Sequence, residues 1–132
     1  MQLLINLDVP DLEAAEALYR RAFGLTVGLR LGDDVLELLG AQAPIYLLRN
    51  AAGSEGAPDS PRRYERHWTP VHLDVVVEDL DAALAVAIQA GLQPETPIRD
   101  ARWGRIVRLA DPFGHGWCLL QFHGRGYDEI AT

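Results

Sequence analysis

Two stretches of the chain repeat one alternation of apolar and polar positions. The first runs from Ile5 to Leu25 (INLDVPDLEAAEALYRRAFGL) and the second from Leu73 to Leu92 (LDVVVEDLDAALAVAIQAGL). Each contains an apolar run, an Asp-Leu-acid-Ala-Ala segment and a Gly-Leu ending. Aligning Asp11 with Asp79 gives an offset of 68 residues, and the pattern indicates an internal duplication.

Each repeat predicts a strand followed by a helix. Asp11 and Asp79 suit the N-cap position, because a carboxylate there accepts a hydrogen bond from a backbone amide that has no partner within the helix. Gly24 and Gly91 supply the left-handed residue that commonly ends a helix. In the first repeat, apolar side chains recur at spacings of three and four residues and form one stripe along the helix: Leu12, Ala15, Leu18, Tyr19, Ala22 and Phe23.

Three strand-like runs follow each predicted helix. They are LTVGLRLG, DVLELLG and PIYLLRN in the first half, and QPETPIRDARWG, RIVRLAD and GWCLLQF in the second. The segment at 51–68 is rich in Ala, Gly, Ser, Pro and Arg, which is typical of a surface connector. We therefore predict an α+β fold in one domain over residues 1–132, with two β-α-β-β-β modules at approximately 1–50 and 69–123 joined by the connector 51–68.

Composition and charge narrow the class of protein. The chain has 132 residues, 48% hydrophobic and 23% charged, which favours one packed globular domain. A formal net charge of -7 repels phosphate backbones and anionic lipid, so we expect neither a nucleic-acid nor a membrane partner. The apolar run at the start of the chain has no basic stretch before it, which argues against a signal peptide or a membrane span. Cys118 is the only cysteine, and a cytoplasmic location is expected.

The tandem β-α-β-β-β pattern and the segment DPFGHGWCLL at 111–120 resemble the vicinal-oxygen-chelate superfamily. That superfamily includes glyoxalases, bleomycin-resistance proteins and extradiol dioxygenases. The resemblance covers roughly Leu3 to Phe122, and it implies that the two modules form a curled mixed sheet around a cleft. It also implies a homodimer, an expectation supported by the limited core that a chain of this size can build. The tail at 123–132 lies outside the resemblance and receives no assignment.

The resemblance implies four metal-ligand positions, on the first and last strand of each module. They correspond here to Leu4, Tyr46, His72 and Cys118. Leucine cannot bind a metal, and tyrosine is a poor ligand at neutral pH because its pKa is about 10. His72 and Cys118 alone are too few for zinc, which takes three or four protein ligands. We therefore expect no family-type metal and no cofactor, while a weakly bound divalent ion stays open.

Several side chains are candidates for ligand contact. His72 either exchanges protons with a ligand or is a hydrogen-bonded core histidine. Asp74 lies two residues further along the same strand face and could be its partner, and Asn6 is the equivalent of Asp74 in the first repeat. Cys118 is more consistent with a small buried apolar group than with a nucleophile, because nucleophilic thiols need an electropositive neighbourhood.

Several aromatic and basic side chains have more than one possible role. Tyr46 either contacts a ligand or packs in the core. Trp103 is a better candidate for a pocket wall than Trp117, which should face away from Cys118. His115 is expected to serve within its turn. The basic and aromatic residues near the end of the connector fit either a mobile rim or a solvated loop: Arg62, Arg63, Arg66, His67 and Trp68.

Three functional hypotheses follow. The first is a glyoxalase-like or bleomycin-resistance-like protein whose cleft binds a small organic molecule without a family-type metal. The second is a lyase, isomerase or dioxygenase-like enzyme that uses His72 as a general base, with or without a weakly bound divalent ion. The third is a catalytically silent module. Fold class alone does not choose among them. The predicted ligand-binding residues are Asn6, Tyr46, His72, Asp74, Trp103 and Cys118.

Overall fold

The computed structural model describes every residue from Met1 to Thr132. Its elements in chain order are β1 (Ile5–Val9), α1 (Leu12–Phe23), β2 (Thr26–Leu31), β3 (Val35–Leu39), β4 (Ile45–Arg49), β5 (Glu55–Ala57), β6 (Ser60–Pro61), β7 (Leu73–Val76), α2 (Leu80–Ala90), β8 (Gln93–Pro94), β9 (Arg99–Ala101), β10 (Gly104–Ala110), β11 (Gly116–Phe122) and a 3-10 turn (Gly126–Glu129). The predicted α+β fold of two modules is confirmed.

The chain divides into two compact units, Met1–Glu65 and Arg66–Thr132. The sheet of the first unit has the order β1-β4-β3-β2, in which β1 runs parallel to β4 and the other neighbours are antiparallel. The second sheet has the order β7-β11-β10-β8, with β7 parallel to β11 and β9 also paired with β10. Each unit has one helix, so the repeat in the sequence corresponds to a repeat in the topology.

Both helices begin as the sequence predicts. The Oδ1 atoms of Asp11 and Asp79 each accept a hydrogen bond of 3.0 Å from the backbone amide three residues further on. Gly24 ends α1 in the left-handed conformation, with φ 67°. Gly91 also ends its helix with a positive φ, 124°, and its amide donates to the carbonyls of Ala87 and Ile88. Neither helix is long and apolar enough to cross a membrane.

Strand alternation sorts the side chains of the first sheet onto two faces. Leu36, Leu38 and Leu47 are fully buried, and their strands β3 and β4 contact α1. Because neighbouring positions along a strand point to opposite sides, Glu37 and Tyr46 lie on the other face. That other face therefore carries the polar pair Glu37 and Tyr46.

One predicted strand is interrupted. QPETPIRDARWG was expected to form a single strand, but the structure has two short ones, β8 and β9, separated by residues 95–98. Pro97 lies between the two short strands and has no backbone N–H to donate, which disfavours continuous pairing with β10. The interruption places Glu95 in the loop between the two short strands.

Part of the connector is ordered on the first unit. Strands β5 and β6 form a small hairpin. Arg62 Nε then bonds Asp8 Oδ2 at 2.8 Å, and the Tyr64 hydroxyl donates to the Asn50 carbonyl at 2.7 Å. The connector is therefore exposed to solvent but ordered around Arg62, where the ion pair with Asp8 attaches it to the first unit.

Candidate functional site

Three predicted site residues of the second unit lie together at one end of its sheet. Asp74 on β7 is in register with Cys118 on β11, and Cys118 is in register with Arg108 on β10. Directly paired residues share one face of a sheet, so these three side chains form a row across three strands. His72 directly precedes β7 instead of belonging to it, which leaves its side chain free of strand packing.

The ligand atoms of His72, Asp74 and Cys118 all lie within 4.8 Å of one another. His72 Nε2 lies 3.4 Å from Asp74 Oδ1. Exposure differs sharply among these three residues: the His72 side chain is 61% exposed and that of Asp74 is 34% exposed, whereas Cys118 is 7% exposed. The group therefore combines one fixed, buried thiol with two side chains that solvent reaches.

Burial raises the pKa of the Cys118 thiol to about 11. The negative charge of Asp74 and a hydrogen bond with it act in the same direction, while the positive charge of Arg108 opposes them. A thiol with this pKa is protonated at neutral pH. Cys118 by itself therefore lacks the thiolate that a nucleophile needs, in line with the sequence-based expectation.

A pocket of about 270 Å³ lies beside this row, within the second unit. Its lining residues are Arg66, Trp68, Thr69, His72, Arg108, Gly116, Trp117 and Cys118. A Cβ at Gly116 would lie 2.5 Å from Nη2 of Arg66, so any other residue here would have to displace the end of the arginine side chain. The absence of a side chain at Gly116 thus makes room for a guanidinium group at the pocket wall.

Glu95 anchors both arginines of the pocket. Its carboxylate accepts hydrogen bonds from Arg66 Nε at 3.0 Å and Nη2 at 3.1 Å, and from Arg108 Nε at 3.1 Å. The hydrogen bond with Arg66 is the main reason that the pKa of Glu95 lies below its ordinary value. One carboxylate therefore orients two permanent positive charges.

The buried carboxylate of Asp111 fixes the loop that leads into β11. Its Oδ1 accepts from the backbone amides of Phe113 at 2.9 Å and His115 at 3.0 Å. Its Oδ2 lies 2.9 Å from both His115 Nδ1 and Trp117 Nε1. His115 thus has the role within the turn that the sequence suggested. The start of β11, which carries Gly116 and Cys118 into the pocket, depends on this carboxylate.

The first unit contains the equivalent row, with different chemistry. Asn6 is in register with Tyr46, and Tyr46 is in register with Glu37. The Tyr46 hydroxyl donates to Glu37 Oε1 at 2.6 Å, and the amide of Leu29 donates to Oε2 at 3.0 Å. The hydrogen bond between Tyr46 and Glu37 lowers the pKa of Glu37 and raises that of Tyr46.

Glu37 also explains a glycine in the neighbouring strand. A Cβ at Gly28 would overlap Oε2 of Glu37, at the point where the register between β2 and β3 shifts. Sequence reasoning missed Glu37, although one signal was present. It is the only charged residue inside the apolar run VLELL, and it lies on the same face as Tyr46.

The four-ligand metal site that the family resemblance implies does not fit these residues. Leu4 has no donor atom. The hydroxyl of Tyr46 donates a hydrogen bond to Glu37, and this bond raises the pKa of Tyr46, so the phenol stays protonated. A protonated phenol is not a metal ligand at neutral pH.

Trp103 lies elsewhere than predicted. Its ring packs against Tyr127 with 5.3 Å between ring centroids, and Tyr127 in turn meets Phe122 edge-on at 4.9 Å. Trp103 is not among the residues that line the pocket. The tail thus covers Trp103, and the sequence could not show this because the tail had no assignment. Asn6 and Tyr46 belong to the first unit, and their participation in one site with His72 stays a prediction.

The sequence placed Arg66 in a mobile rim or a solvated loop, and it did not identify Arg108 of the pocket wall or Glu95, which holds both arginines without lining the pocket itself. Arg108 could have been found by counting back from Cys118 through the turn, because β10 and β11 form an antiparallel hairpin. Glu95 gave no comparable signal, since the interruption between β8 and β9 determines its position.

Comparison with known proteins gives the class of this chain. The model of the glyoxalase-like domain family matches residues 4–120. An uncharacterized protein of Mycobacterium bovis is 44% identical over 54 residues, which span 40% of this chain and only 36% of that relative. The chain belongs to the glyoxalase-like domain family, within the vicinal-oxygen-chelate superfamily.

Solved structures share this fold at low sequence identity. A glyoxalase/bleomycin resistance protein/dioxygenase family enzyme from Burkholderia phytofirmans aligns with a TM-score of 0.74 and 19% identity, over 91% of this chain and 97% of that chain. The fosfomycin resistance protein FosX from Listeria monocytogenes, complexed with Mn(II) and 1S,2S-dihydroxypropylphosphonic acid, aligns with a TM-score of 0.68 and 20% identity. The alignment covers 93% of this chain and 87% of that chain. At these identities the likeness establishes the fold alone.

Proposed function

We propose that the protein binds a small organic molecule with an anionic group in the pocket of the second unit. The observation that carries this proposal is the pair of guanidinium groups in the pocket wall. Arg66 and Arg108 line the pocket, and no carboxylate does. Glu95 is shared by both arginines, and Asp74 lies in the same row as Cys118 and Arg108, but neither carboxylate lines the pocket. A bound carboxylate or phosphonate would pair with the guanidinium groups from the pocket side.

The rest of the pocket suits a short apolar group. Trp68 is 81% exposed and lies at the pocket wall, while Trp117 and Cys118 are buried. An exposed indole beside charged groups gives an apolar surface that a ligand would cover. A volume of about 270 Å³ is small for a ligand site, so the ligand class is limited to compounds of few heavy atoms.

Calorimetry with small anions tests the proposal. The probes are propylphosphonate and butyrate, with neutral butyramide as the control ligand. We expect both anions to bind and butyramide not to bind. Arg108→Gln should weaken binding about tenfold or more, because a hydrogen bond to a charged group contributes about 1.5–3 kcal/mol. His72→Ala should weaken it by about 1–3 kcal/mol if the imidazole contacts the ligand.

A matched variant is available on the same strand. Arg105 lies on β10 like Arg108, but its guanidinium pairs with Asp81 and Asp100, and it does not line the pocket. Arg105→Gln should leave anion binding unchanged. The proposal fails if neither anion binds, or if Arg105→Gln and Arg108→Gln weaken binding equally. Circular dichroism of each variant checks the fold.

An enzyme with His72 as general base is the second candidate, and one observation favours it. Asp74 Oδ1 lies 3.4 Å from Nε2 of His72, which puts a carboxylate in place to orient the imidazole. Such an enzyme should convert one of the bound compounds, and His72→Ala should abolish turnover more strongly than binding. If a compound binds and mass spectrometry detects no product, the protein is a binding protein and not an enzyme for that compound.

A homodimer also remains a proposal. Leu29 and Leu31 of β2, an edge strand, are 56% and 52% exposed, and exposed apolar side chains on a sheet edge favour association. Light scattering should return twice the chain mass of 14.6 kDa. A monomer at micromolar concentration would contradict it.

A further inference from the structure

We propose that the outer face of α1 is the surface on which a second copy of this chain docks, with the two helices antiparallel and Ala17 at their crossing point. In this arrangement Glu13 of one copy meets the partner's Arg21, and the reverse pair forms on the other side of the axis. The inference rests on the homodimer proposed above and names its surface. It concerns residues of the first unit only.

An open groove of about 1160 Å³ follows this face of α1. Glu13, Ala17 and Arg21 line it, and their spacing of four residues places them on one ridge of the helix. Arg30 also lines the groove, so the edge strand β2 borders the same surface. The volume exceeds the roughly 1,000 Å³ that bounds most small-molecule pockets. A groove of this size and openness suits the surface of another protein.

Two charges on this ridge have no partner within the chain. Arg20 and Arg30 both pair with Glu16, at 3.3 Å and 2.9 Å. Glu13 and Arg21 are exposed, and neither forms an ion pair within the chain. The face of α1 therefore presents one free negative charge near its start and one free positive charge near its end.

Antiparallel docking pairs all of these free charges. Glu13 and Arg21 each lie four residues from Ala17, which is about 6 Å along the helix axis. A two-fold axis at Ala17 therefore brings each of them beside its opposite, as an isologous interface requires. The small side chain of Ala17 lets the helix axes approach to roughly 8–10 Å, a distance that the long side chains of glutamate and arginine can span.

The second repeat lacks this pattern, which identifies another α1 as the occupant of the groove. The offset of 68 residues places Asp81, Ala85 and Gln89 at the corresponding positions of α2. Asp81 already pairs with Arg105 at 2.7 Å, and glutamine carries no charge. The equivalent ridge of α2 therefore offers no free charge, whereas a second α1 offers one of each sign in the complementary order.

Charge reversal tests this surface, with the dimer dissociation constant measured by sedimentation equilibrium over a series of concentrations. Glu13→Arg and Arg21→Glu should each raise that constant about tenfold or more, because each reversal acts twice across the two-fold axis. An equimolar mixture of the two variants should dimerise like the unaltered chain, since opposite charges again meet at both contacts. Added salt should weaken the unaltered dimer, because exposed ion pairs are screened.

Glu78→Arg and Arg102→Glu are the matched controls. They make the same changes of charge at exposed residues of the second unit that form no ion pair within the chain. Both should leave the dissociation constant unchanged. A reversed charge at a helix end can itself weaken the helix, so circular dichroism checks each variant. The neutral variants Glu13→Gln and Arg21→Gln should weaken the dimer in the same direction.

The possible results separate this surface from the homodimer itself. A dimer that neither reversal weakens, controls that weaken it equally, or a mixture of folded variants that stays monomeric would overturn the α1 surface and leave the homodimer proposal standing. A chain that is monomeric at every concentration would contradict both. Anion binding is tested separately through Arg108, which lies on β10 and outside this groove.

Discussion

Replacing Asp111 with asparagine changes one atom of a carboxylate that four donors surround. In Asp111→Asn, either the amide nitrogen faces the indole N–H of Trp117, or it faces the backbone amides of Phe113 and His115. In both orientations the side-chain amide N–H of the asparagine faces another N–H donor. The side chain of Asp111 is fully buried, so water cannot compensate for the lost acceptor.

The expected cost follows from the number of bonds lost. A hydrogen bond to a charged acceptor contributes about 1.5–3 kcal/mol, and at least one is lost in either orientation. We therefore expect Asp111→Asn to lower the free energy of unfolding by about 2–4 kcal/mol, or the Tm by roughly 10 °C. Urea unfolding followed by circular dichroism measures it.

A double-mutant cycle with Trp117→Phe tests the reasoning. Phenylalanine has no N–H that could face the new amide. Asp111→Asn should therefore lower the free energy of unfolding less in the Trp117→Phe variant than in the unaltered chain, and the coupling energy between the two positions should be about 1–3 kcal/mol. Asp100→Asn is the control, because Asp100 is an exposed ion-pair residue and should change stability by less than about 1 kcal/mol. The argument is refuted if Asp111→Asn lowers the free energy of unfolding by less than about 0.5 kcal/mol, or if the effects of the two substitutions are strictly additive.

Three further predictions concern local features. Asp11→Ala and Asp79→Ala should each lower the free energy of unfolding by about 0.5–2 kcal/mol in urea, and no loss would contradict the capping geometry. The Arg66 hydrogen bond depresses the pKa of Glu95 below its ordinary 4.5, so its stabilisation is complete above pH 4.5 and disappears as pH falls through the lowered pKa. Glu95→Gln should therefore reduce the fall in the free energy of unfolding that the unaltered chain shows as pH decreases below 4.5. In metal-free protein, alkylation of Cys118 should show a midpoint near its pKa of about 11, and a midpoint at the ordinary 9.0 would contradict its burial.

The sequence alone determines the elements whose physics is local. Asp11 and Asp79 specify the helix starts, because an N-cap needs only a side chain and an amide three residues away. The 68-residue repeat likewise predicts two equivalent modules, and strand periodicity places Asp74 on the face opposite Leu73. These features follow from neighbours along the chain, so no knowledge of distant contacts is required.

Register between distant strands decides the candidate site, and only the tertiary structure supplies it. Pairing of β7 with β11 sets Asp74 beside Cys118, although 44 positions separate them in the sequence. Glu95 reaches two arginines only because β8 and β9 are interrupted around it. Trp103 was assigned to a pocket wall, but the tail brings Tyr127 against it. Periodicity along one strand fixes which face a side chain takes, whereas its neighbours on that face depend on strand order and on loops that the pattern of a single chain does not encode.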